Sequence, residues 1–254
     1  MSLAARLLAL PATRGLDLDA PETTALRREI VRGKPFLRAI YEEWYGLIAS
    51  NIPPPPGDVL ELGSGAGFLG EFVPGLITSD VFPVPGVDRV VDARSLPFAD
   101  GALRAIAMTN VLHHVPQVER FLAEAERCLR PGGRLVMIEP WNSAWARLVY
   151  RHLHHEPFQP GAADWGIPQS GPLSGANGAL PWIVFHRDRA RLQREFPALR
   201  VTEIRPMMPL RYLLSGGVSM RSLQPGWMHG PWRALERLAG GRCGMFALIV
   251  LERR

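Results

Sequence analysis

At 254 residues the chain is long for one domain and short for two, so a single α/β domain with insertions is the expected arrangement. Hydrophobic residues make up 47% and charged residues 21%, which excludes a disordered or collagen-like chain. The net charge of +5 is unevenly spread: residues 1–140 are net acidic and 141–254 net basic. No block of five like charges occurs, so the basic half reads as solvated, arginine-rich surface.

Residues 2–10 form an apolar run that Arg6 interrupts and Pro11 ends, with almost no basic leader. That pattern argues against an export signal and for a cytoplasmic protein. No run of about 18 apolar residues occurs, so no membrane-spanning helix is expected. Cys128 and Cys243 stand far apart without metal-ligand spacing and read as buried thiols of a reducing compartment. Asp19-Ala20-Pro21-Glu22 has the form of a capping box with proline in the first turn. Between residues 35 and 50, Leu37, Tyr41, Trp44 and Ile48 recur at helical spacing. Four consecutive prolines at 53–56 then impose an extended connector. Residues 1–56 are thus expected to form a helical segment, and 57–254 the main domain.

An alternation of strands and helices follows. Strands are expected at 58–62, 76–80, 87–91, 103–108 and 134–139, with a short helix around 68–73 and a longer one spanning 118–129. Pro131-Gly132-Gly133 reads as the turn into the fifth strand. This rhythm implies a mostly parallel sheet covered on both faces. After Glu139 it breaks: 141–186 and 207–242 read as insertions, separated by a helix near 187–196 and a strand at 199–205. A last buried strand is expected at 244–251.

The informative segment is Glu61-Leu62-Gly63-Ser64-Gly65-Ala66-Gly67, a strand running into alternate glycines. Glycine serves where backbone passes close to a ligand or takes positive φ. Gly65-Ala66-Gly67-Phe68-Leu69-Gly70 also satisfies G-x-G-x-x-G, so a nicotinamide-dependent oxidoreductase is the competing reading. Three acids argue against it. Glu61 precedes the glycines, where a carboxylate suits a ligand ammonium and would repel a pyrophosphate. Asp80 ends the second strand, placed for ribose hydroxyls. Asp92 ends the third, placed for an adenine amino group.

With these residues, Asn110-Val111-Leu112-His113-His114 and Leu129-Arg130-Pro131-Gly132-Gly133, the chain resembles the class I S-adenosylmethionine-dependent methyltransferases. The resemblance is greatest to the type 11 group, which includes quinone-biosynthesis C-methyltransferases, and covers about residues 57–140. It implies a Rossmann-like sheet of seven strands, the last antiparallel, with S-adenosyl-L-methionine as cofactor. It further implies that Glu61 and the backbone of Gly63, Ser64, Gly65 and Gly67 hold the methionine part. Asp80 and Val81 would hold the ribose, Asp92 and Ala93 the adenine, with Asn110 beside the sulfonium. Two departures stand out: only 19 residues separate Glu61 from Asp80, so the first helix is short, and Leu103-Arg104 precedes the fourth strand where relatives often carry an acid.

Methyl transfer from a sulfonium needs chiefly alignment, worth roughly 7–11 kcal/mol, so such sequences declare the cofactor and conceal the acceptor. His114 and Glu139, each just past a strand end, are the candidate bases. His113 and His114 otherwise read as structural, and His152, His154 and His155 cannot all face one ligand from a single helix, so no metal site is expected. Both insertions leave the carboxyl ends of strands, the ligand side of such sheets. Six of the seven tryptophans fall in these insertions, which with the Trp44 helix are expected to form a lid over a largely apolar or aromatic small-molecule acceptor, a lipid, quinone or glycan precursor, unless the tryptophans merely core the insertions. Arginines are not interleaved with aromatics in a groove-like register, so nucleic acid is not expected. The segment 207–214 could instead lie at a membrane surface.

Overall fold

The structure is a computed structural model, and it describes residues 9–13, 15–17, 19–153, 156–167, 171 and 174–254. His154, His155 and all but the end of the apolar run at 2–10 lie outside the described residues. Seven strands form one sheet: β1 (Asp58–Leu62), β2 (Leu76–Asp80), β3 (Arg89–Val90), β4 (Leu103–Thr109), β5 (Leu129–Pro140), β6 (Leu199–Met207) and β7 (Phe246–Arg253). Their order is β3-β2-β1-β4-β5-β7-β6. β1 runs parallel to β2 and β4, with Leu60 opposite both Ile77 and Ile106. β7 alone is antiparallel, inserted between β5 and β6 with Ile249 opposite Met137 and Ile204. The seven-stranded, mostly parallel sheet is therefore as the sequence implies.

Alternation along the strands divides the core in two. Leu60, Ile106 and Leu135 face one side with Phe121, Leu122 and Ala125 of the helix α3 (Val118–Cys128). Two helices precede it in the chain, α1 (Pro21–Gly33) and α2 (Pro35–Asn51). Val59, Ala105 and Val136 face the other side with Leu37, Ile40, Trp44 and Ile48 of α2. The small side chains of Ala105 and Ala107 leave room on that face for Trp44 and Tyr45, both fully buried. Arg104 anchors the proline connector by donating to the carbonyls of Gly57 (2.9 Å) and Pro53 (2.6 Å).

Four local expectations are corrected. The helix at 68–73 is a single 3-10 turn, Leu69–Glu71. Between Leu62 and Leu76 the chain carries five glycines and Pro74, and glycine costs a helix about 1 kcal/mol per residue. β3 shrinks to two residues, since Pro83, Pro85 and Gly86 precede it at the sheet edge. The turn at Pro131-Gly132-Gly133 is absorbed into β5 as a bulge: Leu103 pairs with Leu129, and Ala105 already with Arg134. Asp19 does not cap α1, whose N-cap is Ala20 without a side-chain bond. It accepts instead from the backbone N–H (3.1 Å) and hydroxyl (2.6 Å) of Ser174, 155 residues away.

The first insertion carries α4 (Ala144–Leu153) and a turn Leu180–Trp182 continuing as a π-helical stretch Ile183–Arg187; α5 (Arg189–Glu195) follows between the insertions, and the second carries α6 (Arg211–Ser215) and α7 (His229–Ala239). The second insertion is pinned by Arg211, whose buried guanidinium pairs with Glu236 of α7 (2.5 Å) and Glu43 of α2 (2.6 Å). Segment 207–214 therefore packs inward: Met208 and Arg211 are buried, and Leu213 and Leu214 pack against the core. No helix among the described residues is long and apolar enough to cross a membrane.

Candidate functional site

A cavity of about 610 Å³ opens at the carboxyl ends of β1, β2, β4 and β5. Its floor is made by strand tips: Gly63 after β1, Asp80 and Val81 at the end of β2, Asp92 and Ala93 after β3, and Thr109 and Asn110 at the end of β4. Of the residues assigned to the cofactor, Gly63, Asp80, Val81, Asp92, Ala93 and Asn110 are thus brought to one wall. Glu61, Ser64, Gly65 and Gly67 are not on it. The structure sets them one layer behind, for reasons visible in their contacts.

Gly63 has φ +70°, and a Cβ there would collide with Val111. At Gly65 a Cβ would strike Thr24 of α1 and stand 2.5 Å from Asp80 Oδ2, and at Gly67 it would meet the Tyr45 hydroxyl. The latter two glycines are therefore required by the approach of the protein's own side chains. Gly65 donates its N–H to Asp80 Oδ2 (3.0 Å), and Arg28 of α1 donates to Gly65 O (2.8 Å) and Pro85 O (2.7 Å), clamping the loop. Ser64 Oγ accepts from Ser79 N (3.1 Å) and so joins the loop to β2. Gly70 has open space around it and no helix beyond it. The third glycine of a dinucleotide fingerprint packs a helix against a strand, and here that packing does not exist.

Glu61 is buried, and burial pushes its carboxyl up to about 7. The Ser64 hydrogen bond acts in the opposite direction, Asp80 reinforces the rise, and Arg28 offsets part of it. Asp80 is likewise raised by burial, against hydrogen bonds from the N–H groups of Phe82 and Gly65. Asp92 is lowered by its hydrogen bonds to Arg94, which it meets with both oxygens at 2.7–3.1 Å. Thr109 Oγ1 and Asn110 Oδ1 are buried without a hydrogen-bond partner, while the Asn110 side chain also meets the Tyr41 hydroxyl. Asn110 is held at φ +57°, a region uncommon outside glycine and tolerated by asparagine. Strain of this kind gathers at functional positions.

Beyond the strand tips the cavity widens between the insertions, against Tyr150, Phe158, Tyr212, Phe246, Leu153 and Ile167. Both insertions contribute walls, but none of the tryptophans does. Trp165 is fully buried under Arg191, 4.0 Å from its ring, and donates to Asp188 (2.9 Å). Trp145 donates to Pro209 O (2.6 Å), and Trp227 is 75% exposed. The tryptophans hold the insertions to the body or face solvent, and the chamber is lined by tyrosine and phenylalanine.

The polar corner of the cavity is His113, His114 and Glu156. Glu139 lies behind it, fully buried. Its Oε1 accepts from the N–H groups of Val111 and Leu112 (both 2.8 Å), and its Oε2 meets His113 Nδ1 (2.7 Å). Glu139, the other candidate base, therefore holds the 3-10 turn Leu112–His114 and stands behind the cavity wall rather than on it. Burial opposes the charging of His113, but hydrogen bonds to Glu139 and Glu156 carry it up to about 9. Burial and the His113 charge bring His114 down to about 4, leaving it a neutral imidazole. Its Nδ1 lies 3.0 Å from Gly175 O. Thr24, Arg27 and Glu156 also line the cavity, and no local sequence signal pointed to them.

A family model described as a methyltransferase domain matches residues 79–137. The ubiquinone/menaquinone biosynthesis C-methyltransferase of Desulfotalea psychrophila is 29% identical over 151 residues, covering 52% of this chain and 58% of that protein. The demethylmenaquinone methyltransferase of Renibacterium salmoninarum is 30% identical over 111 residues, covering 38% of this chain and 47% of that one. The chain thus spans about half the length of these two curated relatives. The crystal structure of geranyl diphosphate C-methyltransferase from Streptomyces coelicolor superposes with a TM-score of 0.53 at 16% identity, over 97% of this chain and 89% of that one, a likeness of fold.

Proposed function

We propose that the chain is a class I methyltransferase of the type 11 group, which transfers a methyl group from S-adenosyl-L-methionine to an apolar or aromatic small molecule. The observation that carries this reading is the cavity itself. Three strand tips present Gly63, Asp80 and Asp92 on one wall, which runs on without a break into an aromatic chamber.

The residues present fit the cofactor. Thr109 and Asn110 line that wall, and each has a side-chain oxygen that finds no hydrogen-bond partner within the protein and would suit a donor or a positive centre of the cofactor. Asp80 would hold the ribose hydroxyls, Asp92 and Ala93 the adenine edge, and the 63–67 loop, with Glu61 behind it, the amino-acid end. When bound, the cofactor supplies a methyl carbon activated by a positively charged sulfur. The protein's part is to orient and to exclude water, which strengthens the polar contacts that remain. Tyr150 and Phe158, stacked with centroids 4.7 Å apart, and Tyr212 against Phe246 form the apolar seat for the acceptor. At the polar corner, neutral His114 is the side chain able to accept a proton from it.

The relatives' names, which concern ubiquinone and menaquinone, favour an acceptor of that apolar kind. Insertions 141–186 and 207–242 serve as its lid, and α1 and α2, from the described part of 1–56, pack onto the domain as its cover. Both cysteines are unpaired, Cys128 buried but Cys243 exposed, contrary to its reading as a buried thiol, and this suits a cytoplasmic setting; nothing in the cavity's chemistry calls for nucleic acid. Calorimetry with S-adenosylhomocysteine and with NADPH tests the cofactor. Transfer of labelled methyl from S-adenosylmethionine to a panel of quinols and prenylated phenols tests the acceptor. Binding of NADPH in preference to S-adenosylhomocysteine would overturn the assignment.

A further inference from the structure

Three side chains in the polar corner offer ligand atoms that all lie within 4.8 Å of one another: His113, His114 and Glu156. We infer that they form a binding site for one divalent cation of the zinc class. His113 Nε2, His114 Nε2 and a Glu156 oxygen are its protein ligands, and its open side faces the cavity. The site deepens the methyl-transfer reading: with the cation bound, His114 Nε2 holds the ion and no longer serves as proton acceptor, and the cation instead binds and acidifies an oxygen of the acceptor; it rests on that reading only in assigning the acceptor that oxygen.

The orientation of the two imidazoles carries the argument. A metal-binding histidine almost always donates its second ring N–H to a carboxylate or a backbone carbonyl, which sets the tautomer and aims the other nitrogen at the ion. Both histidines here are arranged in that way. His113 Nδ1 lies 2.7 Å from Glu139 Oε2, and Glu139 cannot turn because Val111 and Leu112 hold its other oxygen. His114 Nδ1 lies 3.0 Å from Gly175 O. A carbonyl only accepts, so that nitrogen bears the hydrogen and Nε2 bears the lone pair.

The Nε2 atoms are directed toward Glu156, at 3.4 Å from His113 and 3.8 Å from His114. Ligands around a tetrahedral zinc ion with bonds of about 2.0–2.1 Å stand about 3.4 Å apart. Those two spacings run to different oxygens of Glu156, Oε2 and Oε1, and the three ligand atoms all lie within 4.8 Å of one another, so closure on one ion draws them together by up to about 1.4 Å. The two histidines are adjacent on the 3-10 turn Leu112–His114, with ring centroids 4.2 Å apart, and Asn177 N fixes the carbonyl of His113 (2.9 Å). Two imidazoles and one carboxylate leave a coordination position open, the pattern of catalytic rather than structural sites. The sequence reads His113 and His114 as structural and leads to no metal being expected; Glu156, more than forty residues away, is the ligand that this reading lacks.

A simpler occupant is a proton, with His113 as an imidazolium bridging Glu139 and Glu156, and the experiment separates the two. The full chain is stripped with EDTA, dialysed, and titrated with Zn²⁺ by calorimetry and with Co²⁺ by visible absorption. Glu156→Gln and His114→Ala are titrated alongside, with thermal melting to check folding. One equivalent of metal per wild-type chain is expected, with the Co²⁺ bands of a four-coordinate site. Each variant should bind at least about tenfold more weakly. Absence of binding to the wild type, or unchanged binding in both variants, overturns the site. S-adenosylhomocysteine binding measured on the same sample keeps the two proposals apart. Cofactor binding without metal removes the site alone, and metal binding without cofactor removes the methyl-transfer reading alone.

Discussion

Glutamine in place of Glu61 is expected to abolish a pH dependence of stability that the wild type shows between pH 5 and 8. Glu61 lies at the end of β1 in a buried position, and burial, reinforced by Asp80, brings its carboxyl from 4.5 to about 7 in the fold. The folded chain therefore holds this proton more tightly than the unfolded chain does. The resulting stability is complete below pH 4.5 and is lost as pH rises through 7. By linkage, the loss from this one group between pH 5 and pH 8 is about 2 kcal/mol. For a chain of this length that is a fall of roughly 4–8 °C in melting temperature.

Glutamine keeps the shape and a hydrogen-bonding oxygen but cannot ionise, so the variant should lack this part of the slope. The assay is differential scanning calorimetry of both proteins at pH 5, 6, 7 and 8. The melting temperature of Glu61→Gln relative to wild type should rise with pH. S-adenosylhomocysteine, whose ammonium would approach the loop beside Glu61, should flatten the wild-type slope because it favours the carboxylate. Parallel melting curves for the two proteins across the range would refute the reasoning.

Two further outcomes follow from the buried polar contacts. Arg211→Met should cost about 3 kcal/mol in urea denaturation, since Glu236 is left buried without its cation while Glu43 keeps Arg233 and His229; a midpoint unchanged from wild type would show the triad to be neutral. Asp80→Asn should lower the affinity for S-adenosylhomocysteine about 10- to 100-fold in calorimetry, through loss of charge-assisted bonds to the ribose. The fold should survive, because the amide oxygen can still accept from Gly65, and an affinity within twofold of wild type would remove Asp80 from the site.

Local pattern decided much of the fold. The apolar runs at 58–62, 103–109 and 134–139 are buried strands because parallel strands covered on both faces need no polar side. The stripe Leu37, Tyr41, Trp44 and Ile48 is buried because its spacing places all four on one face of α2. Strand-end positions could be read for the same reason: Asp80, Asp92 and Asn110 follow strands whose carboxyl ends form the ligand edge of such a sheet.

Periodicity says which face a residue occupies, but not what lies across from it. That Glu139 ends behind His113 rather than in the cavity depends on a turn folding back over β5. That Gly65 and Gly67 are needed by Thr24 and Tyr45 depends on where α1 and α2 dock. Glu156 reaches His113 and His114 from more than forty residues away, through an insertion without a repeating pattern. The sequence by itself determined the strand order's rhythm and the glycine loop, because both are written in neighbouring residues. Only the tertiary structure decided which buried carboxylates face the cavity and which hold its walls, because those contacts arise from segments distant along the chain.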